Sequence, residues 1–193
     1  MRRAVLILSA ALLLGACGTA PDAPVQVSTD AKAVVKAEGK HNDTDVMYLQ
    51  MMVAHHEQGL EMVRLAATSA QRDDIKILAQ AVDATQSDEV ALMKSWLADW
   101  KQPATVDHAP SAHADHGGLP ATSEKEIKAL RKAKGEAFEK AFLHLFVAHQ
   151  HNAVEMAQLE RKDGVNPEAK AFADRVRDSR TDQIKQMLTL MNA

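Results

Sequence analysis

The stretch from Met51 to Met62 (MMVAHHEQGLEM) returns 94 residues later as Leu145 to Met156 (LFVAHQHNAVEM). In each copy a histidine, His55 or His149, stands seven residues before a methionine, Met62 or Met156. A small residue, Gly59 or Ala153, follows each histidine by one helical turn. The two halves align without a gap over residues 48–93. Tyr48 maps to Phe142, Val82 to Val176, Val90 to Ile184 and Met93 to Met187. Any two long helices share apolar spacing, but that does not account for Ala-His and Glu-Met pairs repeated in one register. A chain built from two such hairpins buries both apolar stripes by packing them face to face. The expected fold is therefore all-α, an up-down four-helix bundle made of two repeated helical hairpins.

Local signals place the elements. Asn42 or Asp43 caps a first helix that runs to about Ser69, and Asp43 and Asp45 suit the positive end of its dipole. A second helix extends from about Arg72 to Trp100 and stops before Pro103. Ala79, Val82, Gln86, Val90, Met93 and Leu97 form its inward stripe. Residues 103–120 carry Pro, Gly, Ala and three histidines without apolar periodicity and read as a loop. Ser123 with Glu126 is a capping box opening a third helix, expected to reach about Arg161 or Lys162 and to end at Asp163-Gly164. Gly135 marks a place within it for a break or kink. Pro167 opens the last helix, which continues nearly to the C-terminus.

The N-terminal residues belong to export rather than to the fold. Arg2 and Arg3 precede an apolar run from Ala4 to Leu14, too short for a comfortable membrane span. Leu14-Gly15-Ala16-Cys17 resembles a bacterial lipoprotein signal, with Cys17 as the lipidated residue. Residues 1–16 are thus expected as signal peptide, 17–41 as a flexible tether and 42–193 as the bundle domain. Cys17 is the only cysteine, so the folded domain offers neither a disulfide nor a thiolate ligand. The expected location is the cell envelope, facing the periplasm. Gly18 after the cysteine favours the outer membrane, since an aspartate there would resemble an inner-membrane retention signal. The net charge of −3, mixed in sign and without a basic stripe, speaks against nucleic acid as a partner.

On a helix with about 100° per residue, Tyr48, Met51, Met52, Gly59 and Met62 share the face of His55. His56 falls at its edge. In the second copy His149 shares a face with Phe142, Leu145, Phe146, Ala153 and Met156, while His144 and His151 point away. A buried imidazole is costly unless its nitrogens find partners. Two imidazoles on facing helices remove that cost by sharing a metal. Methionine adds a neutral, polarizable sulfur. Imidazole with thioether is a soft donor set, so the expected ion is copper as Cu(I), with Ag(I) as its mimic. The candidate ligands are Met51, Met52, His55, His56, Met62, His149 and Met156. Met93 and Met187 are read as core. Glu61 and Glu155 lie off the inward face and are read as solvated, with a hydrogen bond from behind to a histidine as the alternative. A secondary, weaker set is His108, His113 and His116 of the loop, together with His151. His41 has no evident partner.

At these residues the chain resembles the domain-of-unknown-function 305 family. That family carries an acidic residue, an aromatic or methionine, Met-x-x-His-His with a following methionine, and then Gln-x-x-Glu-x-x-x-Met. This chain supplies Asp45, Met47, Met52, His55, His56 and Met62, followed by Gln86, Glu89 and Met93. Its second half supplies Phe138, Phe142, Phe146, His149, Asn152, Ala153, Met156, Gln183 and Met187. The resemblance implies a ferritin-like four-helix bundle, and some members resemble periplasmic proteins that bind copper and protect cells from it. The chain departs where His149-Gln150-His151 stands in place of a second His-His pair, and where Phe146 replaces the methionine supplied by Met52. That asymmetry favours one site, or one strong and one weak.

The expected function is sequestration or transfer of copper, with a copper donor or acceptor protein as partner and a lipid anchor in the membrane. An enzyme is not expected, because the inward faces lack the Glu-x-x-His pairs of di-iron bundles. Haem and zinc-hydrolase motifs are absent as well. The alternative is a structural or interaction module whose histidines only pack. Stoichiometry and oligomeric state are not legible in the sequence.

Overall fold

The computed structural model describes residues 35–105 and 122–192. The signal peptide, Cys17, most of the tether and the loop residues His108, His113 and His116 lie outside the described residues. Five helices follow one another: α1 (Asp43–Ser69), α2 (Asp73–Asp99), α3 (Glu124–Lys132), α4 (Gly135–Asp163) and α5 (Pro167–Met191). Among the described residues there is no strand, and no helix is long and apolar enough to cross a membrane.

The helix starts are built by their caps. Asn42 accepts from the Asp45 amide at 3.0 Å and donates its own amide to the Asp45 carboxylate at 2.6 Å. Ser123 and Glu126 form the same reciprocal box at α3. The Asn166 side chain accepts from the amides of Glu168 and Ala169, with Pro167 setting the first helical residue of α5. The helix expected from Ser123 onward is two helices, α3 and α4, divided at the glycine expected to break or kink it. The chain leaves helical geometry at Ala133 and Lys134, and α4 starts afresh at Gly135 with φ +56°, a left-handed value that glycine alone adopts without steric cost.

Short connections at residues 70–72 and 164–166 make α1 antiparallel to α2, and α4 to α5. The two hairpins meet along α1 and α4. Trp96 of α2 and Phe172 of α5 close the other side, with their rings edge to face at 5.8 Å. The inward stripe expected for α2 is buried throughout, including Gln86. Along α4, Phe138, Phe142 and Phe146 stack in sequence at 6.3 and 5.4 Å and lead to His149.

The duplication extends beyond the residues that reveal it in sequence. Asp45 of α1 accepts from the amides of Val165 and Asn166 in the turn of the second hairpin, at 3.0 and 2.9 Å. Glu139 of α4 accepts from the amides of Gln71 and Arg72 in the turn of the first, at 2.7 and 2.8 Å. All three pairs, 45 with 139, 71 with 165 and 72 with 166, obey the same 94-residue offset. Each carboxylate caps a turn that it does not belong to, and so joins the hairpins at both ends.

The segment just before α1 departs from the expected tether. The Trp96 and Trp100 indoles donate to the carbonyls of Val35 and Ala37 at 2.6 and 2.8 Å. Asn166 donates to the carbonyls of Glu38 and Lys40, and His41 stacks on Trp100 at 4.3 Å. An indole N–H needs an acceptor when its ring is packed, and this extended stretch provides two. Residues 35–41 therefore belong to the bundle, and His41 has a partner.

Candidate metal centre

The two repeated histidines meet at the α1–α4 seam. Their rings stack with centroids 3.7 Å apart and planes 13° from parallel. Both are buried. His55 Nε2 lies 3.0 Å from the backbone carbonyl oxygen of His149. A carbonyl only accepts, so Nε2 carries the proton and Nδ1 keeps its lone pair. His149 Nδ1 lies 3.2 Å from the Thr122 hydroxyl. Thr122 is fixed in turn by Gln58, which donates to its carbonyl at 2.8 Å and accepts from its amide at 3.1 Å. On its other face the His149 ring stacks on Phe146 at 5.6 Å. Each ring is thus oriented by one nitrogen and has the other, His55 Nδ1 or His149 Nε2, buried without a hydrogen-bond partner.

Gly59 lines a tight cradle that only a residue without a side chain permits. A Cβ added there would lie 2.8 Å from both His149 Nε2 and Gln86 Oε1. The Gln86 amide is buried, and neither its oxygen nor its nitrogen has a partner. Each such orphaned group costs about 1–3 kcal/mol. Burial pushes His55 well below the usual imidazole range, and the neighbouring His149 pushes the same way. Burial, then the fields of His56 and Arg180, lower His149 to about 3. Both rings are neutral at physiological pH, the form that ligates a metal. Met52, Met62 and Met156 are buried on the same helix faces, and Met51 is half-buried.

These residues fit a small soft cation better than a hard one. Among the described residues no group of three His, Cys, Asp or Glu side chains is placed to hold a metal. The unpartnered donors at the seam are imidazole nitrogens and an amide, with thioethers on the flanking faces, a set that suits low-coordinate Cu(I) or Ag(I).

His56, expected among the ligands, has other partners. Its Nε2 lies 2.9 Å from Glu89 Oε2 and 3.0 Å from an Arg180 guanidinium nitrogen, and Arg180 also pairs directly with Glu89. Burial lowers the His56 pKa, against the hydrogen bond to Glu89, which raises it. Burial alone would raise Glu89, but His56 and Arg180 hold its carboxyl below the usual range. The equivalent position in the second half is neutral: Gln150 donates to Gln183.

Of the remaining expected positions, His151 and His144 are exposed on the outer face of α4. Glu61 pairs with Arg131 of α3 at 2.6 Å and does not support a histidine, and Glu155 is exposed. Sequence reading missed Thr122 and Arg180. Thr122 carries no periodic signal. Arg180 does, because it interrupts the apolar stripe Val176, Ile184 and Met187 at the place where the first half has Gln86.

No curated protein matches this chain. Solved structures do. A DUF305 fragment from Deinococcus radiodurans superposes with TM-score 0.70 at 23% identity, covering 80% of this chain and 99% of its own. A DUF305 protein from Streptomyces coelicolor, assigned as secreted, gives TM-score 0.70 at 25% identity, with 76% and 91% covered. The Cu(I)-bound form of CopM gives TM-score 0.63 at 25% identity, with 77% and 95% covered. CopM has also been solved with silver and with Cu(II). The family model for the domain of unknown function DUF305 matches residues 45–191, and the chain belongs to that family.

Proposed function

We propose that this protein is an envelope lipoprotein that binds copper as Cu(I), to sequester it or pass it to a partner protein, without catalytic turnover. The observation that carries this reading is the stacked pair His55 and His149, neutral and buried, each with one ring nitrogen lacking a partner. Those nitrogens and the thioethers of Met52, Met62 and Met156 would hold the ion, with Met51 at the margin. Dry surroundings and soft donors favour the monovalent ion over Cu(II). The copper- and silver-bound forms of CopM support the reading. The anchor would be a lipid on Cys17, with the outer membrane as its site, and His108, His113, His116 and His151 would take up metal loosely.

A ligand that binds only the folded chain raises its melting temperature. Ag(I) is expected to raise it for the native protein and not for the His55→Ala, His149→Ala double variant, whose far-ultraviolet circular dichroism stays helical. An unchanged Ag(I) shift in that variant would remove the central site. No Ag(I) shift in the native protein would favour an interaction module whose histidines only pack.

A further inference from the structure

The two rings of the candidate site lie face to face, and that geometry limits how they share an ion. An imidazole nitrogen binds a metal through a lone pair in the plane of its ring, at about 2 Å. The His55 and His149 planes are 13° from parallel, with centroids 3.7 Å apart. Lone pairs of rings stacked in this way run side by side and do not converge. An ion placed between the planes would stand nearly a whole bond length out of each, over the ring faces, where neither lone pair points. Coordination of one ion by both rings therefore requires one of them to leave the stack.

The surroundings decide which. The repeat sets the two histidines at equivalent positions, but opposite nitrogens hold the rings. His55 donates from Nε2 to the His149 carbonyl at 3.0 Å. That acceptor is main chain in the middle of α4 and moves only with the helix. His149 is held from Nδ1 by the Thr122 hydroxyl at 3.2 Å. Thr122 lies outside the four long helices, just before α3, and Gln58 of α1 fixes its backbone. The hydroxyl therefore stays behind when the ring turns about its own side-chain bonds. A hydroxyl also donates or accepts, so this bond imposes no tautomer on His149, whereas the carbonyl imposes one on His55.

We propose that His149 is the moving ligand of the copper site, and that Thr122 is the positioning residue that keeps its ring stacked on His55. Uptake of the ion draws the ring off the stack and breaks its bond to Thr122. The proposal rests on the copper reading and adds to it the order of movement. The work of unstacking is subtracted from the affinity for the ion. Loss of the hydroxyl removes part of that work, so Thr122→Val binds the ion more tightly. A residue that supports a ligand in its metal-bound pose has the opposite effect.

The test follows the ring protons of His55 and His149 by nuclear magnetic resonance in the native protein, Thr122→Val and Thr122→Ser. Without metal, ring-to-ring nuclear Overhauser contacts are expected in the native protein and in Thr122→Ser, and weaker ones in Thr122→Val. With saturating Ag(I) these contacts are expected to vanish, while the His55 Nε2 proton keeps its slow exchange with water. In competition with a soluble Ag(I) chelator, read at the same ring protons, Thr122→Val is expected to hold the ion several-fold more tightly, the weight of one neutral hydrogen bond. Thr122→Ser should match the native protein. Rings that respond to Ag(I) and stay in contact would overturn the proposal. So would release of the His55 proton in place of the His149 ring, or weaker binding in a folded Thr122→Val. Failure of the copper reading looks different: neither ring responds to Ag(I) in any of these proteins. The moving ligand then falls with it, while the metal-free comparison still shows whether Thr122 holds the stack.

Discussion

A single methyl group at Gly59 tests how closely the histidine site is built. Alanine would gain up to about 1 kcal/mol in helix propensity. Its Cβ would also press on His149 Nε2 and Gln86 Oε1, both at 2.8 Å, and overpacking of this kind costs about 1–3 kcal/mol. The second effect is the larger. Gly59→Ala is therefore expected to lower stability by roughly 0–2 kcal/mol in urea unfolding, and to diminish the Ag(I) melting shift more than a change at an exposed helical site, Lys185→Ala, does. A full-sized Ag(I) shift in Gly59→Ala would separate the cradle from the metal. Much of this site was legible in the chain itself. The repeat placed His55 and His149 on facing helices, and Gly59 and Ala153 beside them. The partners that orient the rings were not legible. A backbone carbonyl and Thr122 leave no periodic trace, and the ion pair of Arg180 with Glu89 joins residues 91 apart in sequence.

The helices were readable because their signals are local. The caps at Asn42 and Ser123, and Pro167 at the start of the last helix, each act within one turn of the chain. The break at Gly135 was likewise marked by the glycine itself, whereas the docking of residues 35–41 depends on what that segment meets in space, and sequence periodicity does not register that. At the end of α4, burial and the neighbouring Asp45 carboxylate raise Glu160 from the usual glutamate range to about 8. A group with a raised folded-state pKa supports the fold below its unfolded value, near 4.5, and loses that contribution as pH climbs through about 8. His55 and His149, with lowered values, act in the opposite sense below 6.5. Between about pH 6.5 and 8 the Glu160 contribution stands apart, with a slope of up to about 1.4 kcal/mol per pH unit. Chemical denaturation across that interval is expected to show declining stability in the native protein and a flatter profile in Glu160→Gln. Equal slopes would mean that Glu160 ionises freely in the folded chain.

The fold as an assembly was legible because duplication constrains topology more tightly than any single motif does. Two similar hairpins with three-residue turns, each striped on one side, leave little freedom but to face each other. The two halves nonetheless differ in chemistry. The first keeps the charged His56–Glu89 pair and the second the neutral Gln150–Gln183 pair, with Arg180 and Gln86 exchanged to match. A substitution in one half thus has its compensation in the other, and no window shorter than the repeat exposes it.

The carboxylates of Asp45 and Glu139, each set on the opposite hairpin's turn, carry this dependence into chain cleavage. If the backbone were cut between the halves, neither piece would retain the acid that seals its own bend. Two separately expressed segments, 35–105 and 122–193, are expected to recombine into a one-to-one heterodimer in sedimentation equilibrium. The first segment alone should self-associate, with Asp45 of one copy sealing the bend at Gln71 and Arg72 of the other. A monomeric, fully helical first segment would mean that the halves are companions by covalent linkage only.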